Sequence, residues 1–220
     1  MPPASSTIRA VVFDLDGTLV DSRPDLATAV NALRGELSLP PADLETVGSW
    51  IGEGARRLVE RALDGASLDL DGAVARFLEL YAKVCTDLTR PYAGVDELLA
   101  GLAPRYRLAL LTNKPERMTR DIVDNLGWNG LFDPIVGGDT LPFRKPDPRG
   151  LTAIAGELGL APEALLLVGD SRIDERTAVA AGARFLWVDW GYAALEDREA
   201  LARGAHASSP PEIVERLSRL

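Results

Sequence analysis

The chain has 220 residues, of which 46% are hydrophobic and 26% charged, and its formal net charge is -9. That length supports one sizeable core, or a core with a smaller insert. The acidic balance argues against a nucleic-acid binder, which needs a basic face, but admits a small anionic substrate in a cleft where local cations and a metal reverse the field.

The single cysteine, Cys85, rules out an intrachain disulfide, fits a reducing cytosol and reads as a small core residue. His206 is the only histidine, and no partner pattern of a catalytic triad or zinc site surrounds it. Residues 1–9 read as a small polar tail without the pattern of a signal peptide. There is no run of about 18 apolar residues, so no membrane partner is expected and the expected location is cytoplasmic.

In chain order, the apolar run at residues 10–13 predicts a buried strand ending at Asp14. Amphipathic helical patterns follow at residues 26–37, 55–63 and 74–86, separated by turn residues at Pro40-Pro41 and between Gly48 and Gly54. Strands are then predicted at residues 107–111, 134–136, 164–168 and 184–188. Helices fill the gaps at residues 116–125, 149–158 and 174–181. Continuous apolar strands alternating with helices predict an α/β fold with a doubly wound parallel sheet. The first crossover is too long for one helix. The reading is therefore a Rossmann-like core of residues 1–20 and 91–220, with residues 21–90 inserted as a helical cap.

In such sheets ligands bind beyond the carboxyl ends of the strands. Four motifs fall there. Asp14-Leu15-Asp16-Gly17-Thr18 puts two carboxylates just past a buried strand, which is costly unless a cation binds. The alternative is an Asp-Gly turn. A calcium loop is disfavoured, because its closing position is Asp25 and no Glu is near. Thr112 and Asn113 offer a hydroxyl and an amide that can donate to phosphate oxygens, or cap a helix. Lys145 stands in Arg144-Lys145-Pro146-Asp147-Pro148. It is one of only three lysines, with Lys83 and Lys114, against 21 arginines. Its compact ammonium suits a phosphate oxygen or a carboxylate. Finally, Gly169-Asp170-Ser171-Arg172-Ile173-Asp174 brings Asp170 as a hard oxygen ligand for Mg2+, and Asp174 to orient Lys145 or a metal-bound water.

Taken together, the four motifs from Ile8 to Gly182 resemble the haloacid dehalogenase superfamily. The match is residue by residue: Asp14 through Thr18 in the first motif, Thr112 in the second, Lys145 in the third, and Gly169, Asp170 and Asp174 in the fourth. The insert is similar to the helical cap of the first subclass. Within it, Asp21 to Leu26, Trp50 to Leu63 and Pro91 to Val95 resemble bacterial phosphoglycolate phosphatases, with departures at Ile173 and at Glu175-Arg176.

The resemblance and the residue chemistry imply the same reaction. Asp14 is expected to attack phosphorus and form an aspartyl-phosphate, with Asp16 as general acid and base. Mg2+ is expected on Asp14, Asp170 and the backbone carbonyl of Asp16. Gly17, Thr18, Thr112, Asn113 and Lys145 are expected to bind phosphate. The presence of Asp16 favours hydrolysis of a phosphate monoester over dehalogenation. The expected substrate is 2-phosphoglycolate, its carboxylate read by Arg23, Arg56 and Arg57. A sugar phosphate, a nucleotide or pyrophosphate, and a non-catalytic metabolite-binding scaffold, stand as alternatives. The chain is expected to act as a monomer or homodimer.

Overall fold

The structure is a computed structural model that describes residues 8–64, 69–192 and 205–218. Residues 1–7 of the expected tail lie outside the described residues. In chain order the elements are β1 (Ala10–Phe13), β2 (Val20–Asp21), α1 (Arg23–Glu36), α2 (Leu44–Ser49), α3 (Ala55–Ala62), α4 (Leu70–Tyr81), β3 (Arg90–Pro91), α5 (Val95–Leu102) and β4 (Arg107–Leu111). They continue with α6 (Glu116–Asn125), β5 (Ile135–Val136), α7 (Arg149–Leu158), β6 (Leu165–Gly169), α8 (Arg172–Ala181), β7 (Arg184–Val188), β8 (His206–Ala207) and α9 (Pro210–Leu217).

Six strands form one sheet in the order β5-β4-β1-β6-β7-β8, every pair parallel. Alternation along the strands builds a core on each face. Val11 and Phe13 of β1, Leu108 and Leu110 of β4, and Leu166 and Val168 of β6 pack with α5, α6 and α9. The intervening Ala10, Val12, Ala109, Leu111, Leu165 and Leu167 pack with α7 and α8 on the other face. Continuous apolar runs are what a sheet covered on both sides requires.

The stretch between β2 and β3 is helical. Helices α1 to α4 enclose an apolar cluster of their own, including Val30, Leu33, Val59 and Phe77, which Met118 of α6 joins from the sheet side. The chain leaves and returns through an antiparallel ribbon that pairs Val20 with Pro91 and Asp21 with Arg90. Just inside that ribbon, the buried Asp25 carboxylate accepts from Leu88 N (2.9 Å), Thr89 N (2.7 Å) and Thr89 Oγ1 (2.7 Å). One side chain thus ties the first turn of α1 to the returning strand.

Several elements differ from the sequence reading. Helix α2 stands where a turn was expected. It is only six residues long and contains Gly48, so its one local signal is the N-cap Asp43, which accepts from Thr46 N at 2.7 Å. Helix α4 begins at Leu70 and stops at Tyr81, short of the expected residue 86. Beyond it the chain tightens into i to i-3 bonds, from Lys83 N to Leu80 O and from Val84 N to Tyr81 O, which keep Cys85 in the core. The two-residue strands β2, β3 and β8 are too short to show a period.

Replacing Asp25 by Ala strands the buried Thr89 N–H and hydroxyl and removes the acceptor of Leu88 N. This variant is expected to lose about 3 kcal/mol of unfolding free energy in urea titration, with Asp25→Asn losing less. A loss under about 0.5 kcal/mol contradicts the tie.

Candidate active site

Strands β1, β4 and β6 are neighbours and run the same way, so their carboxyl ends meet at one edge of the sheet. They deliver Asp14, Thr112 and Asp170 to one place. The loop after β1 folds back on itself. Thr18 N, Leu19 N and Val20 N all donate to Leu15 O, while Gly17 N donates to Val20 O at 2.9 Å. Leu15 and Leu19 are buried and anchor the turn. Gly17 has φ +81, and a Cβ there would overlap the Asp170 carboxylate. A side chain is therefore excluded twice, by backbone conformation and by space. Gly191 meets the other side of Asp170 equally closely.

Asp14, Asp170 and Asp174 present oxygens that all lie within 4.8 Å of one another, and all three residues are buried. Lys145 is the cation among them. Its Nζ lies 2.9 Å from Asp14 Oδ1 and 2.6 Å from Asp174 Oδ1, with 2% of the side chain exposed. Asp174 has a second duty. Its Oδ2 accepts from Ser171 N (3.1 Å) and Ser171 Oγ (2.5 Å), closing a capping box at the start of α8. Both of its oxygens are thus engaged by protein. Asp14 Oδ1 accepts from Leu15 N at 2.7 Å as well. Asp170 takes Tyr192 N at 2.7 Å and Thr18 Oγ1 at 3.3 Å.

The charges do not balance. Burial raises the Asp14 carboxyl to about 6, against the pull of Lys145 and with repulsion from Asp174. Burial raises Asp170 to about 8, reinforced by Asp174 and Asp14. Burial alone would lower the Lys145 ammonium, but Asp14 and Asp174 more than offset it and its pKa is raised. Three buried carboxylates around one ammonium, all hard oxygen donors, fit a divalent cation such as Mg2+. Asp14 and Asp170 could hold it, while Asp174 is paired with Lys145.

Asp16 points away from this cluster. Its Oδ1 and Oδ2 take Lys114 Nζ at 2.9 and 3.0 Å, and its Oδ1 takes Ser22 Oγ at 2.6 Å. Ser22 N donates to Tyr192 Oη at 2.8 Å. Asp14, Asp16, Thr112, Asn113, Lys114 and Asp170 line a cavity of about 950 Å³, roofed by residues of α1, α3 and α4 and by the loop around Gly52.

Other expected site residues do other work. The Thr18 hydroxyl turns to Asp170, and its carbonyl accepts from Trp190 Nε1 at 3.0 Å. Asn113 reaches the cavity, but its Nδ2 donates to Gly52 O in the helical insert and to Lys145 O, both at 3.0 Å. It acts as a strut between the two parts. Arg23 faces the cavity, paired with both oxygens of Asp21 and lying 5.0 Å over the Tyr192 ring. Arg56 and Arg57 stand apart, exposed and paired with Asp71 and Glu60.

The sequence reading assigned no role to Lys114, Ser22, Tyr81 or Tyr192. The rule that polar groups at strand ends build the site, carried past β7, would have reached Tyr192. Lys114 had a signal in its rarity. Tyr81 had none, since it reaches the site only through the docking of α4.

The chain is similar to a phosphoglycolate phosphatase of Pseudomonas putida, 45% identical over 192 residues that cover 84% of this chain and 70% of the relative. It is also similar to a phosphoglycolate phosphatase of Chromobacterium violaceum, 44% identical over 193 residues that cover 84% and 87%. Among solved structures, a protein described as a predicted phosphoglycolate phosphatase from Haemophilus somnus superposes with a TM-score of 0.90 at 32% identity, over 96% of this chain and 99% of that one. The haloacid dehalogenase-like hydrolase family matches residues 11–188, a span that holds the whole carboxylate cluster. The chain belongs to the haloacid dehalogenase-like hydrolase family.

Proposed function

We propose that this hydrolase is a Mg2+-dependent phosphatase of 2-phosphoglycolate that works through an aspartyl-phosphate on Asp14. The observation that carries the reading is the cluster of Asp14, Asp170 and Asp174 around Lys145 at the carboxyl edge of the sheet. The printed names of the relatives supply the substrate.

In the first half-reaction Asp14 attacks phosphorus in line. An Oδ–P bond forms, the ester P–O bond breaks, and Asp16 gives a proton to the departing alkoxide. In the second, water attacks the phosphorus of the aspartyl-phosphate, the Oδ–P bond breaks to restore the Asp14 carboxylate, Asp16 takes the water's proton, and inorganic phosphate leaves. A carboxyl that ionises near pH 6 is mostly anionic at neutral pH, as a nucleophile must be. Asp14, Asp170 and the Asp16 carbonyl would hold the metal, which when bound would supply positive charge to offset repulsion between the Asp14 carboxylate and the phosphate. Lys145 and Thr112 bind the equatorial oxygens, while the N–H groups of the Gly17 loop are already taken by Leu15 O and Val20 O. Residues 21–90 act as a cap that keeps bulk water from the ester during transfer.

Two outcomes are expected. In a phosphate-release screen of phosphorylated metabolites with Mg2+, 2-phosphoglycolate gives the highest kcat/KM. Asp14→Asn loses at least about 10^4-fold in kcat while keeping its fold by circular dichroism. Retained turnover contradicts the nucleophile, and a better sugar phosphate contradicts the substrate.

The raised carboxyls of Asp14 and Asp170 also set a pH dependence. Each binds its proton more tightly folded than unfolded. The metal-free fold therefore loses stability as pH rises from 3.8 through about 6 to about 8. The cation must displace those protons at low pH and finds free carboxylates at high pH. Saturating Mg2+ is expected to raise Tm by about 3 °C or more beyond its effect at about pH 5.5 when the pH is about 8. An increment at about pH 8 no larger than at about pH 5.5 contradicts the assignment.

A further inference from the structure

Two groups in the cavity have no task in that chemistry. Lys114 Nζ lies 4.7 Å from the centroid of the Tyr81 ring and within 3.0 Å of both Asp16 oxygens, and 2% of its side chain is exposed. Tyr81 comes from the last turn of α4, stacked on Phe77. Its hydroxyl is buried and has no hydrogen-bond partner among the described residues. Buried hydroxyls almost always find an acceptor. Both residues line the cavity next to Asp14 and Asp16.

We propose that Lys114, with the Tyr81 hydroxyl beside it, is the carboxylate-reading site of this enzyme, selecting phosphate monoesters with a carboxylate one carbon from the ester oxygen. This rests on the phosphatase reading of the same cavity. If Asp16 protonates the leaving oxygen, that oxygen lies within hydrogen-bond distance of the Asp16 carboxyl. Lys114 Nζ is within hydrogen-bond distance of the same carboxyl. A carboxylate one carbon beyond the leaving oxygen therefore comes within reach of Lys114.

The charges suit the exchange. Lys114 needs an anion in its buried place against the Tyr81 ring, and Asp16 now provides it. A substrate carboxylate replaces Asp16 as that partner and leaves the Asp16 carboxyl free to turn to the leaving oxygen. The arginines expected to read the carboxylate are less suited. Arg56 and Arg57 are exposed and paired elsewhere, and Arg23 is gripped by both oxygens of Asp21, a residue with no part in the chemistry. Tyr81 adds the uncharged donor that a second carboxylate oxygen would fill.

The test compares kcat/KM for 2-phosphoglycolate with that for ethyl phosphate, which has a methyl in place of the carboxylate. The variants are Lys114→Met and Tyr81→Phe, with Mg2+ present. Wild type is expected to prefer 2-phosphoglycolate by at least about 100-fold. Lys114→Met should reduce that ratio by at least about 30-fold and Tyr81→Phe by at least about threefold. Equal losses on both esters overturn the inference and leave Lys114 only as a support for Asp16. A wild type that hydrolyses both esters equally also overturns it, with the phosphatase reading intact. A wild type that hydrolyses neither removes the phosphatase reading and this inference with it. Tyr81→Phe leaves Asp16 paired, so if Lys114→Met does not fold, an unchanged ratio in Tyr81→Phe still overturns the inference.

Discussion

Everything in this molecule is arranged around an excess of buried negative charge. Asp14, Asp170 and Asp174 share one small volume at the edge of the sheet, and Lys145 is the ammonium that reaches into it. Such a cluster is costly in a low-dielectric interior. It persists because the paired strands β1 and β6 aim Asp14 and Asp170 at one place and because the backbone around it has no spare room. Gly17 and Gly191 press on Asp170, and Gly169 presses on Asp174, so a side chain at any of them would push the cluster apart. The same imbalance makes the place receptive to a divalent cation, whose charge would be needed before a phosphate could enter.

Two lysines divide the acidic groups between them. Lys145 serves Asp14 from below, steadied by Asp174, which the α8 capping box holds in turn. Lys114, which lines the cavity, serves Asp16. In the proposed mechanism, the division keeps the carboxylate that attacks phosphorus apart from the one that moves protons. It also links the two parts of the chain. Lys114 belongs to the sheet, Tyr81 to the helical insert, and Asn113 donates to the insert's Gly52 carbonyl. Contact between insert and sheet thus runs through residues next to Asp14 and Asp16.

The core was legible in the sequence because its strands are unbroken apolar runs and its polar residues stand immediately after them. Asp14, Thr112 and Asp170 follow from that rule alone, and Lys145 from its rarity among 21 arginines. What the sequence did not disclose depends on tertiary docking. Thr18 and Asn113 have side chains suited to phosphate, yet folding turns one to Asp170 and the other to the insert. Arg56 and Arg57 have the right charge on a helix whose orientation no local pattern specifies, and they face outward. The partnership of Lys114 with Asp16 spans 98 positions, and Tyr81 enters only when α4 packs across the cavity. Asp14, Thr112 and Asp170 fall where expected because each directly follows a strand of the sheet; the arginines of the helical insert do not.

The central claim is that Asp14 itself carries the phosphoryl group. The direct measurement is to quench a single turnover of 2-phosphoglycolate with acid, reduce with borohydride, and locate the modified residue by mass spectrometry. Borohydride converts an acyl phosphate, but not a free carboxylate, to an alcohol. The expected result is reduction at Asp14, dependent on substrate and Mg2+. Reduction at Asp16, or no reduction during demonstrable turnover, contradicts it.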